Sequence, residues 1–149
     1  MYLEFLLQLN KENYGVADSS YKEAGELAGL TQLVDDFYND MDSLPEAQKV
    51  RKMHGKDLQE SRKKLAYFLS GWLGGPRLYT EEYGGISIPQ AHQRFRVGAE
   101  ERDVWLLCMK RAIDKQPYNE SFKEYLLAQL RIPAERVRQV STAYHNLEI

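Results

Sequence analysis

Apolar residues return at intervals of three and four along most of this chain, the spacing of helices that each bury one face. Leu30, Leu33, Val34, Phe37, Tyr38 and Met41 make one wide stripe and predict a helix near 30–42. Ahead of it, Ser20 and Glu23 have capping-box spacing, which predicts a short helix ending at Gly29. Pro45 can open another short helix, because its missing N–H costs nothing at a first helical position. Leu58, Leu65, Phe68, Leu69 and Trp72 stripe a helix near 57–73, which Gly74, Gly75 and Pro76 stop.

From Leu78 to Ile88 no period is sustained, and Gly84–Gly85 suggests a loop. Pro89 can then open one short helical turn that points His92 and Phe95 to the same side. Val104, Trp105, Cys108, Met109, Ala112 and Ile113 mark a helix near 99–115. Phe122, Leu126 and Leu130 mark a last helical region, which Pro133 breaks or kinks. No strict alternation reaches strand length, so the fold class is all-α. A long irregular connection carrying a histidine between strong helices is unusual for a plain bundle, and such connections are commonly functional.

Composition narrows the classes. The 149 residues form one domain by length, and 43% hydrophobic with 28% charged residues is a globular balance. A formal charge of −2 gives no footprint for nucleic acid or an anionic membrane. The single cysteine, Cys108, cannot form an intramolecular disulfide, and the opening MYLEFLLQL lacks a basic leader. No apolar run approaches the ~20 residues of a membrane span. A cytoplasmic protein, monomeric or weakly dimeric, is expected.

Phosphate loops, dinucleotide fingerprints and HExxH are absent, and the lack of CxxCH excludes covalently attached c-type haem. Individually, His92, His54, Trp105 and Tyr38 have ordinary readings as solvated or packed residues, and His145 sits in a polar tail. Together they supply what a flat apolar cofactor needs, a greasy slot with one imidazole for its metal. Leu65 and Phe68 come from one helix, Phe37 and Tyr38 from another and Trp105 from a third, with His92 on its own segment between helices.

The strings FLSGWLGGPRLY at 68–79, HQRF at 92–95 and ERDVWLLCM at 101–109 resemble the group II truncated haemoglobins, and LVDDFYNDM at 33–41 is similar to that family's second helix. The resemblance covers roughly residues 20–130. It implies a truncated, globin-like two-over-two helical sandwich around haem b over 20–149, with 1–19 as an N-terminal extension.

Carried over by position, it implies His92 as the proximal iron ligand, with Tyr38 and Trp105 as donors to a ligand on the iron. His54 falls at or near the position where the family sets an aromatic or a histidine against the haem face, and there it would be a third donor to that ligand. Ser61, Leu65 and Phe68 match pocket positions, and Phe37 and Phe95 complete the apolar contacts. The family often reads GHP-x-LR-x-RH before its histidine, whereas this chain reads GGISIPQAH, with Gly85, Ile86, Pro89 and Ala91 in place of the basic anchor. Lys64, Tyr79, Arg94 and Arg96 are the available substitutes for holding the propionates. The implied ligands are O2, NO, CO or peroxide. Redox chemistry as an NO dioxygenase or peroxidase would require an unidentified reductant. A non-catalytic ligand store or haem-based sensor would need the same pocket.

Overall fold

The computed structural model describes residues 13–147. The helices are α1 (Ser19–Glu23), α2 (Glu26–Ser43), α3 (Gln48–Arg51), α4 (Gln59–Trp72), α5 (Leu78–Tyr83), α6 (Ile88–Ala91), α7 (Ala99–Asp114) and α8 (Glu120–Leu147), with a 3-10 turn at Pro45–Ala47. No strand occurs among the described residues. None of these helices is long and apolar enough to cross a membrane. The apolar positions Leu3, Leu6 and Leu7 of the expected extension lie outside the described residues.

Helices α2 and α4 pack as one pair and α7 and α8 as another, with α2 also lying on α7. The core fills the space between the pairs with Leu30, Leu33, Phe37 and Met41 of α2, Leu69 of α4, Met109 and Ile113 of α7, and Phe122 and Leu126 of α8. Side chains this deeply buried contribute about 1.5–3 kcal/mol each. A polar clasp closes one end of that core. The Asp40 carboxylate on α2, nearly enclosed, accepts from Lys115 Nζ at 2.9 and 3.1 Å, and Gln116 Nε2 donates to Asp36 Oδ2 at 2.7 Å.

The GGP stop has a second task. Gly74 N–H donates to Gly71 O and Gly75 N–H to Ser70 O, the paired bonds of a Schellman end, with Gly74 at φ +90°. A Cβ on Gly74 would also lie 1.9 Å from Ala17 O, and one on Gly75 would run into the Tyr21 ring. Tyr21 N–H bonds Leu73 O, so these glycines let the chain leading into α1 dock on the end of α4.

Four expectations change. Ser20 caps no helix end; it is buried and its Oγ accepts from Gly15 N–H, because tertiary burial outcompetes the local box. The first break falls at Gly25, at φ +86°, and Gly29 lies inside α2. The stretch after Leu78 is not wholly loop, since α5 occupies its first half; six residues are too few to display a period. Pro133 sits within one continuous α8 and does not end it.

Gly29 yields a prediction of opposite sign to helix propensity. Alanine in a helix interior ordinarily stabilises by about 0.5–1 kcal/mol over glycine. Here the added Cβ would meet the Ala24 carbonyl oxygen at 2.0 Å, backbone that cannot rotate away. Gly29→Ala should therefore destabilise by about 1–3 kcal/mol, the usual cost of overpacking, as measured by denaturant unfolding.

Candidate functional site

The four-residue α6 carries Pro89 at its start, and His92 caps its end. Ala91 N–H to Ser87 O and Phe95 N–H to His92 O continue the turn on both sides of the histidine. The segment is then pinned to α8, where Ser141 Oγ donates to Phe95 O at 2.6 Å and accepts from Val97 N–H at 2.9 Å. His145 adds a ring-nitrogen bond to the same Phe95 carbonyl at 3.2 Å, giving a structural task to a residue without any signal in the sequence.

His92 Nδ1 lies 2.8 Å from Ile88 O. A carbonyl only accepts, so Nδ1 carries the proton and the neutral ring keeps its lone pair on Nε2. His92 lines a cavity of about 310 Å³. Leu65 and Phe68 of α4, Ile88 and Phe95 around the histidine, and Leu130 and Val137 of α8 make its walls largely apolar.

Across the same cavity stand Tyr38, His54 and Trp105. Tyr38 is 5% exposed, and burial pushes its hydroxyl up to about 12, with the Arg62 guanidinium opposing that shift. The phenol is therefore a proton-bearing donor at neutral pH. Among the described residues no enclosed side-chain polar atom lacks a partner, and no protein group hydrogen-bonds the Tyr38 hydroxyl or the Trp105 indole N–H. Both polar tips must then open onto the cavity.

His54 sits edge-on to Tyr38, with ring centroids 5.6 Å apart. Its Nδ1 lies 3.1 Å from Val50 O, so neutral His54 turns an acceptor nitrogen, Nε2, away from that bond. Burial holds its pKa below the usual histidine range, ahead of the opposing bond to Val50 and the charges of Arg51 and His92. The sequence reading grouped His54 with the donors. In this tautomer it is an acceptor beside them, because the i−4 carbonyl takes its proton.

Other expected site residues divide cleanly. Ser61, Lys64, Leu65, Phe68, Tyr79 and Phe95 all line the cavity. Phe37 is not among the lining residues; its ring is fully buried, 4.9 Å from Tyr38 and 5.2 Å from Trp105, and backs both from the core side. Arg94 and Arg96 do not line the cavity either, while Lys64 and Tyr79 do.

Sequence reasoning missed the α8 wall of Leu130, Pro133, Ala134 and Val137, and also Glu101 and Arg102. The i, i+3, i+4, i+7 spacing of that wall was present in the sequence, hidden by treating Pro133 as a break. Glu101 is 8% exposed, one turn before Trp105 on α7, and accepts from Lys49 Nζ at 2.7 Å. That pair ties the α3 side of the cavity to α7.

A flat, metal-bearing cofactor fits this donor set. No cluster of three or more His, Cys, Asp or Glu among the described residues could hold a bare ion. One imidazole with Nδ1 tied to a carbonyl, at the wall of a largely apolar cavity, suits a metal that arrives already coordinated by a macrocycle. Lys64 at the wall offers a cation to an acidic edge.

Comparison with known proteins points the same way. The profile of bacterial-like globins matches residues 19–145. The group 2 truncated hemoglobin YjbI of Bacillus subtilis is 36% identical over 120 residues, 80% of this chain and 88% of that protein. Among solved structures, the group II 2-on-2 haemoglobin of Agrobacterium tumefaciens superposes with a TM-score of 0.76 at 36% identity, covering 80% of this chain and 92% of its own. A truncated oxygen-avid haemoglobin from Bacillus subtilis gives a TM-score of 0.71 at 36% identity, covering 79% and 97%.

The Lys49–Glu101 pair makes stability depend on pH. The hydrogen bond from Lys49 holds the Glu101 carboxyl below the usual carboxylate range, against a smaller opposing effect of burial. A depressed folded-state value contributes stability above the unfolded value of about 4.3 and loses it as pH falls through the folded value. Lys49→Met should lower Tm at pH 7, and the difference from the parent should vanish in acid. Thermal melts across that range check it.

Proposed function

The chain belongs to the bacterial-like globin family, among the group II truncated haemoglobins, and from that premise we propose that His92 is the proximal ligand of a non-covalently held haem b whose other face takes O2. The haem iron supplies a coordination position that binds diatomic gases reversibly. Everything else comes from side chains. The Ile88 carbonyl fixes the His92 tautomer and makes Nε2 the ligating nitrogen. Leu65, Phe68 and Phe95 keep water from the slot, and Lys64 with Tyr79 holds the propionate edge in place of the absent arginines.

The observation that carries this reading is the pairing of one lone-pair imidazole with donor tips that the protein leaves unbonded in the same cavity. The haem would leave partial negative charge on dioxygen, and Tyr38 and Trp105, which line the same cavity, would donate to it. The oxygen-avid relative from Bacillus subtilis supports tight O2 binding as the expected behaviour. Donors that hold the ligand slow its release, and slow release suits redox turnover of O2 with NO, or of peroxide, better than transport, while a store or sensor would use the same pocket. Steady-state NO or peroxide consumption with a reductant separates these uses.

His92→Ala should lose the normal Soret spectrum or require added imidazole to regain it. An unchanged spectrum at full haem occupancy would assign the iron to another residue. Tyr38→Phe and Trp105→Phe keep aromatic bulk and remove one donor each. A net hydrogen bond is worth about 0.5–1.5 kcal/mol, so each variant should release O2 roughly 2- to 12-fold faster in stopped-flow replacement, with CO release less affected. Equal O2 release in both variants and the parent would eliminate the polar pocket.

A further inference from the structure

On the α5 side, the cavity wall is a tyrosine that leads to a second tyrosine. Tyr79 lines the cavity. Its ring lies 4.9 Å by centroid from that of Tyr83, one helical turn further along α5. Tyr83 is half-buried and its hydroxyl donates to Glu60 Oε1 at 2.6 Å. The ammonium groups of Lys64 and Lys63 lie 5.2 and 5.9 Å from the Tyr83 ring centroid, and Lys63 Nζ also pairs with Glu82 of α5 at 2.5 Å. An apolar pair would join α4 to α5 equally well, so simple packing does not account for two phenols with a carboxylate at hydrogen-bond distance.

We propose that Tyr79 and Tyr83 form an electron relay between the cavity and the surface, through which a small water-soluble one-electron donor reduces peroxide at the haem; the proposal rests on the haem reading above. A phenol that loses an electron becomes a strong acid, so the electron leaves readily only if a base takes the proton in the same step. Glu60 is that base for Tyr83. The Glu60 bond also keeps the phenol protonated at rest, pushing it up to about 12. Aromatic rings at this spacing exchange electrons without either side chain moving.

The chemistry balances. Peroxide accepts two electrons and two solvent protons, its O–O bond breaks, and two water molecules form. Each electron passes from Tyr83 through Tyr79 to the cavity. The Tyr83 proton moves to Glu60, leaving a neutral phenoxyl radical beside a neutral carboxyl. A donor at the surface returns one electron to Tyr83, and Glu60 returns the proton. Two donor molecules are oxidised per peroxide, and the protein ends unchanged.

The test uses the full-length haem-loaded protein, with ferrocyanide as a donor too highly charged and hydrated to enter the apolar cavity. Peroxide is first added without donor in the presence of a nitroso spin trap, and adducts are mapped by peptide mass spectrometry. The adduct is expected on Tyr83, absent in Tyr83→Phe, and restored at the same position in Tyr83→Trp, which carries an oxidisable ring. Peroxide-driven ferrocyanide oxidation should fall by about 10- to 100-fold in Tyr83→Phe and in Glu60→Gln. The Soret change on first reaction with peroxide should keep its parent rate in both variants. With the Soret band intact, an adduct map without Tyr83, or an unchanged ferrocyanide rate in Tyr83→Phe, overturns the relay alone. Failure to bind haem overturns the haem reading and the relay with it.

Discussion

The bond from His92 Nδ1 to the Ile88 carbonyl is the constraint on which the rest of the site depends. It is made within a single turn, between residues four apart, and it decides which ring nitrogen keeps a lone pair. For that bond to have consequences, the turn itself must not move. Pro89 limits the backbone at its start, and Ser141 holds the residues after it against α8 with two hydrogen bonds. A buried serine on α8 thus helps to fix a histidine forty-nine positions earlier in sequence. His54 repeats the device, with Nδ1 tied to the carbonyl of Val50 four residues back. Both histidines of the cavity therefore have their tautomers set by local backbone, and neither needs a carboxylate partner to do so.

Helix α7 divides its labour along its faces. Glu101 and Trp105 turn towards the cavity, whereas Cys108, Met109, Ala112 and Ile113 pack in the core. Phe37 fills the seam between these two territories, touching Trp105 and Tyr38 edge-on from behind. Removal of its bulk would loosen both donors without touching a ligand. Cys108 is fully buried, and burial raises its thiol to about 11, so it stays protonated and acts as packing. The Asp40 clasp at the far end of α7 then fixes how deeply the helix sits against α2.

Much of this was legible in the sequence because its strongest signals are periodic. The stripes of α2, α4 and α7 recur every three or four residues, and their ends fell within a few residues of expectation. The tyrosine, tryptophan and histidine of the cavity were legible through their resemblance to a family and through the slot they could share. The short α5 was not, because its six residues give one aromatic i, i+4 pair, Tyr79 and Tyr83, and one pair does not establish a period. Hydrogen-bond direction was equally hidden. Whether His54 donates or accepts depends on where the Val50 carbonyl points, and no composition or spacing encodes that. Ser20 shows the complementary error, where a local pattern with the right spacing is overruled by burial.

Pro133 shows how the site and the scaffold bear on each other. A proline within a helix removes one backbone bond and costs about 3 kcal/mol, yet α8 runs through it from Glu120 to Leu147. The cost falls where the helix faces the cavity, and a proline ring there supplies apolar wall without an N–H to satisfy. The strain is countered just beyond it. Glu135 accepts from Arg138 on the same helix and from Arg102 Nη1 of α7 at 2.7 Å, tying the weakened turn to its neighbour. Arg102 follows Glu101, the residue that binds Lys49 on the other side. Two adjacent charges on α7 therefore hold opposite flanks of the cavity, one against α8 and one against α3. The apolar walls can then do without internal polar bonds, and the polar tips of Tyr38 and Trp105 are left without a protein partner among the described residues.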